Sequence, residues 1–280
     1  MIFFFTRIYA RLQELFHEKF KVNIPGLGFL LHLQKKDRII FINGKKMFFN
    51  HKIADNYARL VNGRFNEPET HLFINSLLSS SPDSYVQFIE VGANIGEFLI
   101  DYAGNKKILN SLFFEPQAEQ LLSLQRIKEL NEFNNVEIIN KAVSNKNGVV
   151  KFAFKKNNTS DVGITTDENS ESFKVEAVTL DSVLGDSTQN SIILIDAEGE
   201  ELNVIKGGKK FIRQAKPVII FEYNHITKTY FTLEEVKNEL GNEYTLYRLN
   251  SKGKLDIDFN NTWNIVALPD SQSFNRNLFD

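Results

Sequence analysis

The sequence lacks cysteine altogether, which excludes disulfide bonds, thiolate catalysis and cysteine-ligated zinc or iron–sulfur sites. It also lacks a strong excess of charge. The net charge of −2 and the pI near 6.3 provide no overall attraction to nucleic acid or to an anionic membrane. No apolar run approaches the ~20 residues that a transmembrane helix needs. The composition, 42% hydrophobic and 24% charged over 280 residues, is typical of a soluble globular chain, and we expect a cytoplasmic protein with small or neutral partners.

The N-terminus lacks the apolar core of a signal peptide, because the run from Met1 to Phe5 ends at Thr6 and Arg7. Apolar residues do recur beyond it at helical spacing: Phe5, Ile8, Tyr9, Leu12, Leu15, Phe16 and Phe20. This spacing predicts an amphipathic helix. Its apolar face has two interpretations. Either it packs against the same chain or a second subunit in a homodimer, or it contacts a membrane surface peripherally.

Two more elements are predicted before the central part of the chain. Residues 38–49 predict a β-hairpin, because Asn43 and Gly44 form the favoured pair for a type I′ turn. A helix is predicted from Asn66, with Asn66 as its N-cap and Glu69 at the capping-box position. Its predicted apolar face consists of Leu72, Phe73, Ile74, Leu77 and Leu78. The polar stretch 79–84 then ends this helix as a loop.

From Tyr85 the chain alternates between strand and helix patterns, which indicates an α/β fold with a mostly parallel sheet. Strands are predicted near 86–91, 109–114, 136–140, 191–196 and 217–222, and helices near 96–104, 117–131 and 199–214. A helix at 233–240 and two last strands at 244–249 and 263–268 follow. We therefore expect an N-terminal extension over 1–84, a cofactor domain over 85–268 and a loose tail over 269–280.

An insertion of different character separates the third and fourth strands. Short β-prone runs at 141–144 and 149–154 flank Asn147 and Gly148, which predicts a second hairpin. Residues 155–172 are polar and poor in apolar side chains, which predicts a mobile loop near the ligand edge of the sheet.

The stretch Phe88-Ile-Glu-Val-Gly-Ala-Asn-Ile-Gly-Glu97 predicts a strand, a glycine turn and a helix start. Such a turn at the carboxyl end of a strand is a usual place for a nucleotide-like cofactor. A dinucleotide fingerprint needs a second glycine where Asn94 stands, so a pyrophosphate fits poorly. Glu115 ends the next apolar run, where an acidic residue takes ribose hydroxyls in cofactor-binding folds.

A second group of polar residues follows two later strands. Asp196 ends the apolar run 192–195, and Glu222 ends the run 218–221, followed closely by His225. Because the carboxyl ends of parallel strands meet at one edge, these residues are candidates for catalysis beside Glu90 and Glu115. Helix capping by Asp196 is the alternative explanation, and Glu200 and Glu201 are explained by the preference of acids for helix N-termini.

Taken together, these motifs resemble those of the FkbM-type methyltransferases. The matching stretches are Glu-Val-Gly-Ala-Asn-Ile-Gly at 90–96, Phe114-Glu-Pro116, Thr179-Leu-Asp181, Ile195-Asp-Ala-Glu-Gly-Glu200 with Gly207 or Gly208, and Phe221-Glu222. The resemblance covers about residues 65 to 225, and Phe65-Asn-Glu-Pro-Glu69 is similar to the segment that precedes the first motif in that family. It departs from the family pattern at Glu90, where aspartate is commoner, and at Ala197, which replaces a frequent valine.

The resemblance implies a Rossmann-like class I methyltransferase sheet, mostly parallel with helices on both faces and the final strand antiparallel. It further implies S-adenosyl-L-methionine as cofactor and O-methylation of a sugar, glycan or glycosylated metabolite. The residues expected to bind the cofactor are Glu90, Gly92, Asn94, Gly96, Glu115, Ala142 and Asp196. Those expected to act in catalysis are Asp196, Glu222 and His225.

Three alternatives remain open at the level of sequence. A metal could be held by Asp196, Glu198, Glu222 and His225. Residues at one edge of a sheet do not by that alone form a coordination sphere, and we assign no metal site. An NAD-dependent sugar dehydrogenase or epimerase is disfavoured by Asn94 and by the absence of a Tyr-x-x-x-Lys pair. The third alternative is a non-catalytic scaffold protein with the same fold.

Overall fold

A computed structural model describes residues 35–57, 59–62, 64–80, 86–154, 162–164, 172–260, 263–272, 274 and 276–279, together with Ile8 and Leu12. The predicted N-terminal helix lies outside these residues apart from Ile8 and Leu12, which are helical and exposed. Within the described part of the chain, no helix is long and apolar enough to cross a bilayer.

The centre of the molecule is an eight-stranded sheet. In chain order its strands are β3 (Val86–Val91), β4 (Ile108–Phe114), β5 (Val136–Ile139), β10 (Ser191–Ile195), β11 (Val218–Glu222), β12 (Tyr244–Leu249), β13 (Leu255–Asp256) and β14 (Asn264–Pro269). Across the sheet they lie in the order β13-β12-β14-β11-β10-β3-β4-β5. Five neighbouring strands, in the spatial order β5, β4, β3, β10 and β11, are mutually parallel. β14 pairs antiparallel with β11. The five predicted parallel strands and the antiparallel final strand are thus confirmed, whereas β13 was not predicted.

Helices cover both faces of this sheet. They are α1 (Pro68–Ser80), α2 (Glu97–Tyr102), α3 (Ala118–Asn131), α4 (Leu180–Leu184), α5 (Glu201–Gly207), α6 (Lys209–Ala215) and α7 (Leu233–Leu240). One buried core lies under α1, α2 and α3, and a second lies under α4 to α7. Successive strand residues face opposite cores, as Phe88 and Ile89 do. The predicted single helix over 199–214 is two helices, because the chain is interrupted at Gly208.

The N-terminal hairpin is part of the first core. Its strands β1 (Arg38–Ile42) and β2 (Lys45–Phe49) pair antiparallel around Asn43 and Gly44, both with positive φ as a type I′ turn requires. Met47 and Phe49 are fully buried in the same core as Phe88. The hairpin therefore contributes to the hydrophobic packing that supports β3.

The start of α1 differs from its prediction. Asn66 does not cap the helix, because its side chain donates to Glu97 Oε2 at 2.6 Å. The first helical N–H groups are instead accepted by the carbonyl oxygen of Glu67. Leu72, predicted to be on the apolar face, is 53% exposed, whereas the other four predicted residues are buried.

The insertion forms a separate four-stranded sheet, and the predicted second hairpin is wrong. The strands β6 (Ala142–Val143) and β7 (Gly148–Phe154) do not pair with each other, because β9 (Ser172–Val178) lies between them. The outer strand β8 (Val162–Ile164) pairs with β7 inside the stretch predicted as a loop. The rest of that loop, 155–161 and 165–171, lies outside the described residues.

The C-terminal segment predicted as a loose tail packs against the fold. Leu278 is 0% exposed and belongs to the first core, and the ring of Phe279 contacts that of Tyr247 edge-on at 5.3 Å between centroids. Short patterns of this kind give no periodicity, so the sequence offered no signal for this packing.

Candidate cofactor and active site

A cavity opens at the carboxyl ends of β3, β4 and β10. It is lined by Val91, Gly92, Asn94, Phe114, Glu115, Pro116, Gln117, Lys141, Ala142, Val143, Phe152, Asp196, Ala197, Glu198 and Glu200. Five of the predicted cofactor residues, Gly92, Asn94, Glu115, Ala142 and Asp196, are therefore brought together. Glu90 and Gly96 are not part of this lining.

The loop after β3 depends on glycine at one place in particular. Gly92 has a φ of +88°, and a Cβ there would lie 1.8 Å from the carbonyl oxygen of Asp196. The loops after β3 and β10 thus touch through backbone alone. Asn94, also at positive φ, donates its backbone N–H to the side chain of Glu115, which follows β4. Its own side chain accepts a hydrogen bond from Asn56 at 2.8 Å. Gly96 serves a different purpose, because it allows close packing on Leu124 and Ile127 of α3.

Glu115 is held in place by backbone donors. Its Oε2 accepts the N–H of Asn94 and its Oε1 accepts the N–H of Gln117, both at 2.8 Å. The side chain is buried, and burial raises its pKa to about 7 although these hydrogen bonds oppose the shift. Glu115 lines the cavity, where a carboxylate is suited to accept hydrogen bonds from hydroxyl groups.

The opposite wall of the cavity is formed by the insertion. Ala142 lies on β6, and Phe152 of β7 contributes its ring. Glu200 ties this wall to α5, since its Oε2 accepts hydrogen bonds from Ser144 Oγ at 3.0 Å and Asn203 Nδ2 at 3.1 Å. A Cβ at Gly207 would lie 2.1 Å from the carbonyl oxygen of Ser144, so glycine is required for this contact.

Two carboxylates stand next to each other at the end of the sheet. Ile195 pairs with Phe221 in the parallel ladder, so Asp196 and Glu222 follow at the same level of adjacent strands. Burial and repulsion from Glu198, Glu201 and Glu67 raise the pKa of Glu222 to about 8. The pKa of Asp196 is raised well above its usual value by burial and by Glu222. Two like charges this close do not both ionise readily, so the pair retains a proton near neutral pH.

Two residues that sequence reasoning did not select orient this pair. Asn224 donates from Nδ2 to Glu222 Oε1 at 2.7 Å, while its Oδ1 accepts the N–H groups of Ile226 and Thr227. Glu201 accepts backbone N–H groups from Ala197 and Gly199 and so closes the turn that carries Asp196. Glu201 was explained by helix-end preference alone, and the sequence gives no sign of its contact with the preceding turn.

His225, predicted to act in catalysis, is not bonded to the Asp196–Glu222 pair. It is exposed, and it makes no hydrogen bond or ion pair with the other described residues. Of the carboxylates, Asp196, Glu201 and Glu222 each have an oxygen within 4.8 Å of the others, so they are the candidates for holding a cation. This differs from the set considered from sequence, because Glu201 takes part while Glu198 and His225 do not.

A third carboxylate reaches this site from the N-terminal extension. Glu67 Oε2 accepts hydrogen bonds from Asn264 Nδ2 at 2.6 Å and from Thr70 Oγ1 at 3.0 Å. Asn264 itself lies beside Glu222, its partner in the antiparallel ladder. Burial, followed by repulsion from Glu97, raises the pKa of Glu67 to about 7. Sequence analysis selected neither Glu67 nor Asn264.

Comparison with known proteins identifies the family. The model of the methyltransferase FkbM domain matches residues 90–249, which is more than half of the chain and includes every predicted site residue. No curated protein matches the sequence.

Solved structures with a similar arrangement include three methyltransferases. The FkbM methyltransferase from Methylobacillus flagellatus has a TM-score of 0.46 and 16% identity, covering 78% of this chain and 52% of that one. This chain thus spans about half the length of that protein. An rRNA methylase from Streptococcus thermophilus has a TM-score of 0.41 and 13% identity, covering 74% and 96%. The N-methyltransferase NodS from Bradyrhizobium japonicum has a TM-score of 0.39 and 12% identity, covering 72% and 92%.

Proposed function

The chain belongs to the methyltransferase FkbM family, and we propose that it transfers a methyl group from S-adenosylmethionine to a hydroxyl group of a sugar, a glycan or a glycosylated metabolite. The observation that carries this proposal is the Asp196–Glu222 pair at the cavity that Gly92, Glu115 and Asp196 line. Methyl transfer to a hydroxyl requires a base, and a carboxylate with a raised pKa is a better base than an ordinary one.

The chemistry of the cavity fits the proposed cofactor. Gly92 lines the cavity and lets the loops after β3 and β10 come together there, and Glu115 offers two carboxylate oxygens suited to ribose hydroxyls. Ala142 and Phe152 provide an apolar wall suited to an adenine ring. When bound, the cofactor supplies an electrophilic methyl group on a sulfonium.

The remaining chemistry belongs to the residues of the chain. An alcohol has a pKa far above that of an ordinary aspartate, so proton removal by a free aspartate is inefficient. In the Asp196–Glu222 pair, burial raises the basicity of both carboxylates, and Asn224 fixes Glu222 by a hydrogen bond. We propose that this pair accepts the hydroxyl proton, with one carboxylate ionised and the other protonated.

Isothermal calorimetry with S-adenosylmethionine, S-adenosylhomocysteine and NADH tests the cofactor. We expect micromolar binding of both adenosyl ligands, weakened in Glu115→Ala, and no binding of NADH. Transfer of a radiolabelled methyl group to neutral sugars and glycosides then tests the acceptor class. Binding of NADH alone would favour a dehydrogenase, and binding of none of the three to the folded protein would favour a non-catalytic scaffold.

A further inference from the structure

Four adjacent strands present polar side chains on one face of the sheet. Phe88, Leu194, Ile220 and Val266 all belong to the first core. Side chains two residues apart in a strand project from the same face of the sheet. The residues two positions away from these four are Glu90, Asp196, Glu222 and Asn264, so they project from that face as well. Asp196, Glu222 and Asn264 lie at one level, because their preceding or paired residues are in register. These side chains form a continuous polar row above the first core.

The N-terminal extension closes this row. Glu67 is held through Oε2 by Asn264 and Thr70, which leaves Oε1 as the less constrained oxygen. The backbone around Glu67 is fixed as well, since Glu97 Oε1 accepts the N–H of Asn66 at 2.7 Å and that of Glu67 at 3.3 Å. Glu67 is therefore a positioned side chain, and its charge acts on both Asp196 and Glu222.

The charges that act most strongly on this row are all negative. Besides Glu67 they come from Glu97, Glu115, Glu198, Glu201 and Glu222. The basic groups of this region have partners of their own: His71 is bonded to Asp101 Oδ2 at 2.8 Å and to Glu97 Oε1 at 3.3 Å, and Lys141, which lines the cavity, is bonded to Glu176 Oε1 at 2.6 Å. Within the described chain, two buried carboxylate oxygens on this face have no hydrogen-bond partner: Oδ1 of Asp196, and Oε2 of Glu90, a residue that is only 4% exposed.

A buried polar atom normally has a partner, and a buried carboxylate normally has a positive one. A ligand that carries a positive charge would supply such a partner here. A positively charged group next to Asp196 and Glu222 would ionise the row and release protons, whereas a carboxylate or phosphate would add repulsion that nothing in the row offsets.

We propose that Glu67, Asp196 and Glu222 form a cation subsite beside the transferred methyl group, which selects acceptors that carry an ammonium group near the reacting hydroxyl and rejects acceptors that carry a carboxylate or phosphate there. This inference rests on the proposed function, since it places the acceptor at the Asp196–Glu222 pair. Glu67 is the specificity-determining residue, supplied by the extension rather than by the cofactor domain.

The probe for this subsite is sinefungin, an analogue of S-adenosylmethionine that carries an ammonium group where the cofactor carries its methyl sulfonium. Its affinity is compared by calorimetry with that of S-adenosylhomocysteine, which has no charge there, in phosphate and in Tris buffer. The two ionisation enthalpies give the number of protons released. We expect sinefungin to bind at least about tenfold more tightly at pH 7, with release of about one proton.

The variant Glu67→Gln should reduce this preference to within about threefold and lower the proton release, while leaving the affinity for S-adenosylhomocysteine unchanged. Glu69→Gln, two residues along the same segment, is the matched control and should retain both. If Glu67→Gln does not fold, Glu222→Gln tests the same subsite. An unchanged preference in the folded variants, or none in the wild type, would overturn the inference. Failure of every adenosyl ligand to bind would instead refute the proposed function.

Discussion

Asp196 and Glu222 sit at the same level on two adjacent parallel strands, and no basic side chain is among the groups that most affect either carboxylate. Burial and Glu222 raise the pKa of Asp196, while burial and repulsion from Glu198, Glu201 and Glu67 raise the pKa of Glu222. The state of the pair at a given pH determines whether it can accept a proton.

The first prediction concerns pH. Because the pKa of Glu222 is raised to about 8, we expect kcat of methyl transfer to rise with pH through this value. Glu222→Gln should lower kcat by about 100-fold or more and shift the profile towards acid, since Asp196 loses the neighbouring charge. Glu234→Gln, on the exposed side of α7, is the control. A wild-type profile that stays flat from pH 6 to 9, with methyl transfer rate-limiting, would rule out the pair as the base.

The second prediction concerns Glu115. In Glu115→Gln, one oxygen becomes an NH2 group that must face the N–H of Asn94 or Gln117, because both carboxylate oxygens accept from backbone donors. We expect the affinity for S-adenosylmethionine to fall by about 10- to 100-fold in calorimetry. Glu137→Gln, on the exposed surface of β5, should bind normally. Equal affinities in all three proteins would remove Glu115 from the cofactor site.

The third prediction separates backbone strain from steric contact at the glycine loop. Gly92 and Gly44 have similar φ values of +88° and +80°, but a Cβ at Gly44 would meet nothing within 4 Å. Gly44→Ala should therefore cost about 1 kcal/mol for its backbone conformation alone. Gly92→Ala should cost clearly more and abolish cofactor binding, because its Cβ overlaps the carbonyl of Asp196. Urea unfolding measures both, and similar losses in the two variants would show that the close contact is unimportant.

The fourth prediction concerns His71, which is buried between the rings of Phe65 and Phe98. Burial alone would lower its pKa, but the hydrogen bonds to Asp101 and Glu97 raise it above the usual value. The resulting stabilisation is fully present below the unfolded pKa of about 6.5 and is lost as pH rises through the folded pKa. His71→Gln should thus lose about 3 to 5 kcal/mol at pH 5.5 and less at pH 9.

The matched control for that variant is His51→Gln, because His51 also bonds to an aspartate, Asp37, but is 31% exposed. We expect it to lose less than about 1 kcal/mol. The free energy of unfolding is measured by urea titration at both pH values. A loss in His71→Gln that does not depend on pH would show that only packing, and not charge, is involved.

Much of the fold was predictable because its signals are local. The five parallel strands are short apolar runs, each followed by a turn, and β3 was located by its glycines. The second hairpin was wrong for a non-local reason. A β-prone run shows that a strand forms but not which strand it pairs with, and β9, the true neighbour of β6 and β7, comes later in the sequence.

The same limit applies to the site. Gly92, Glu115 and Asp196 were found because each follows or ends a strand with a recognisable pattern. Glu67 stands in the stretch 65–69 that resembles the segment before the first motif, but it was not selected as a site residue because its partner Asn264 lies 197 residues away in the sequence. His225 was selected for its chemistry, but the turn after β11 leaves it exposed.

The position of β9 also determines when the cavity can be completed during synthesis. Ala142 pairs with Ala177, and Gly92 meets Asp196, so both the wall and the floor depend on segments that leave the ribosome late. A nascent chain ending before Ser172 would contain β3, β4 and Glu115 but would lack the strand that holds β6 in place. The cavity is therefore completed only in the second half of translation, and the early strands must persist until then without the packing of the later segments.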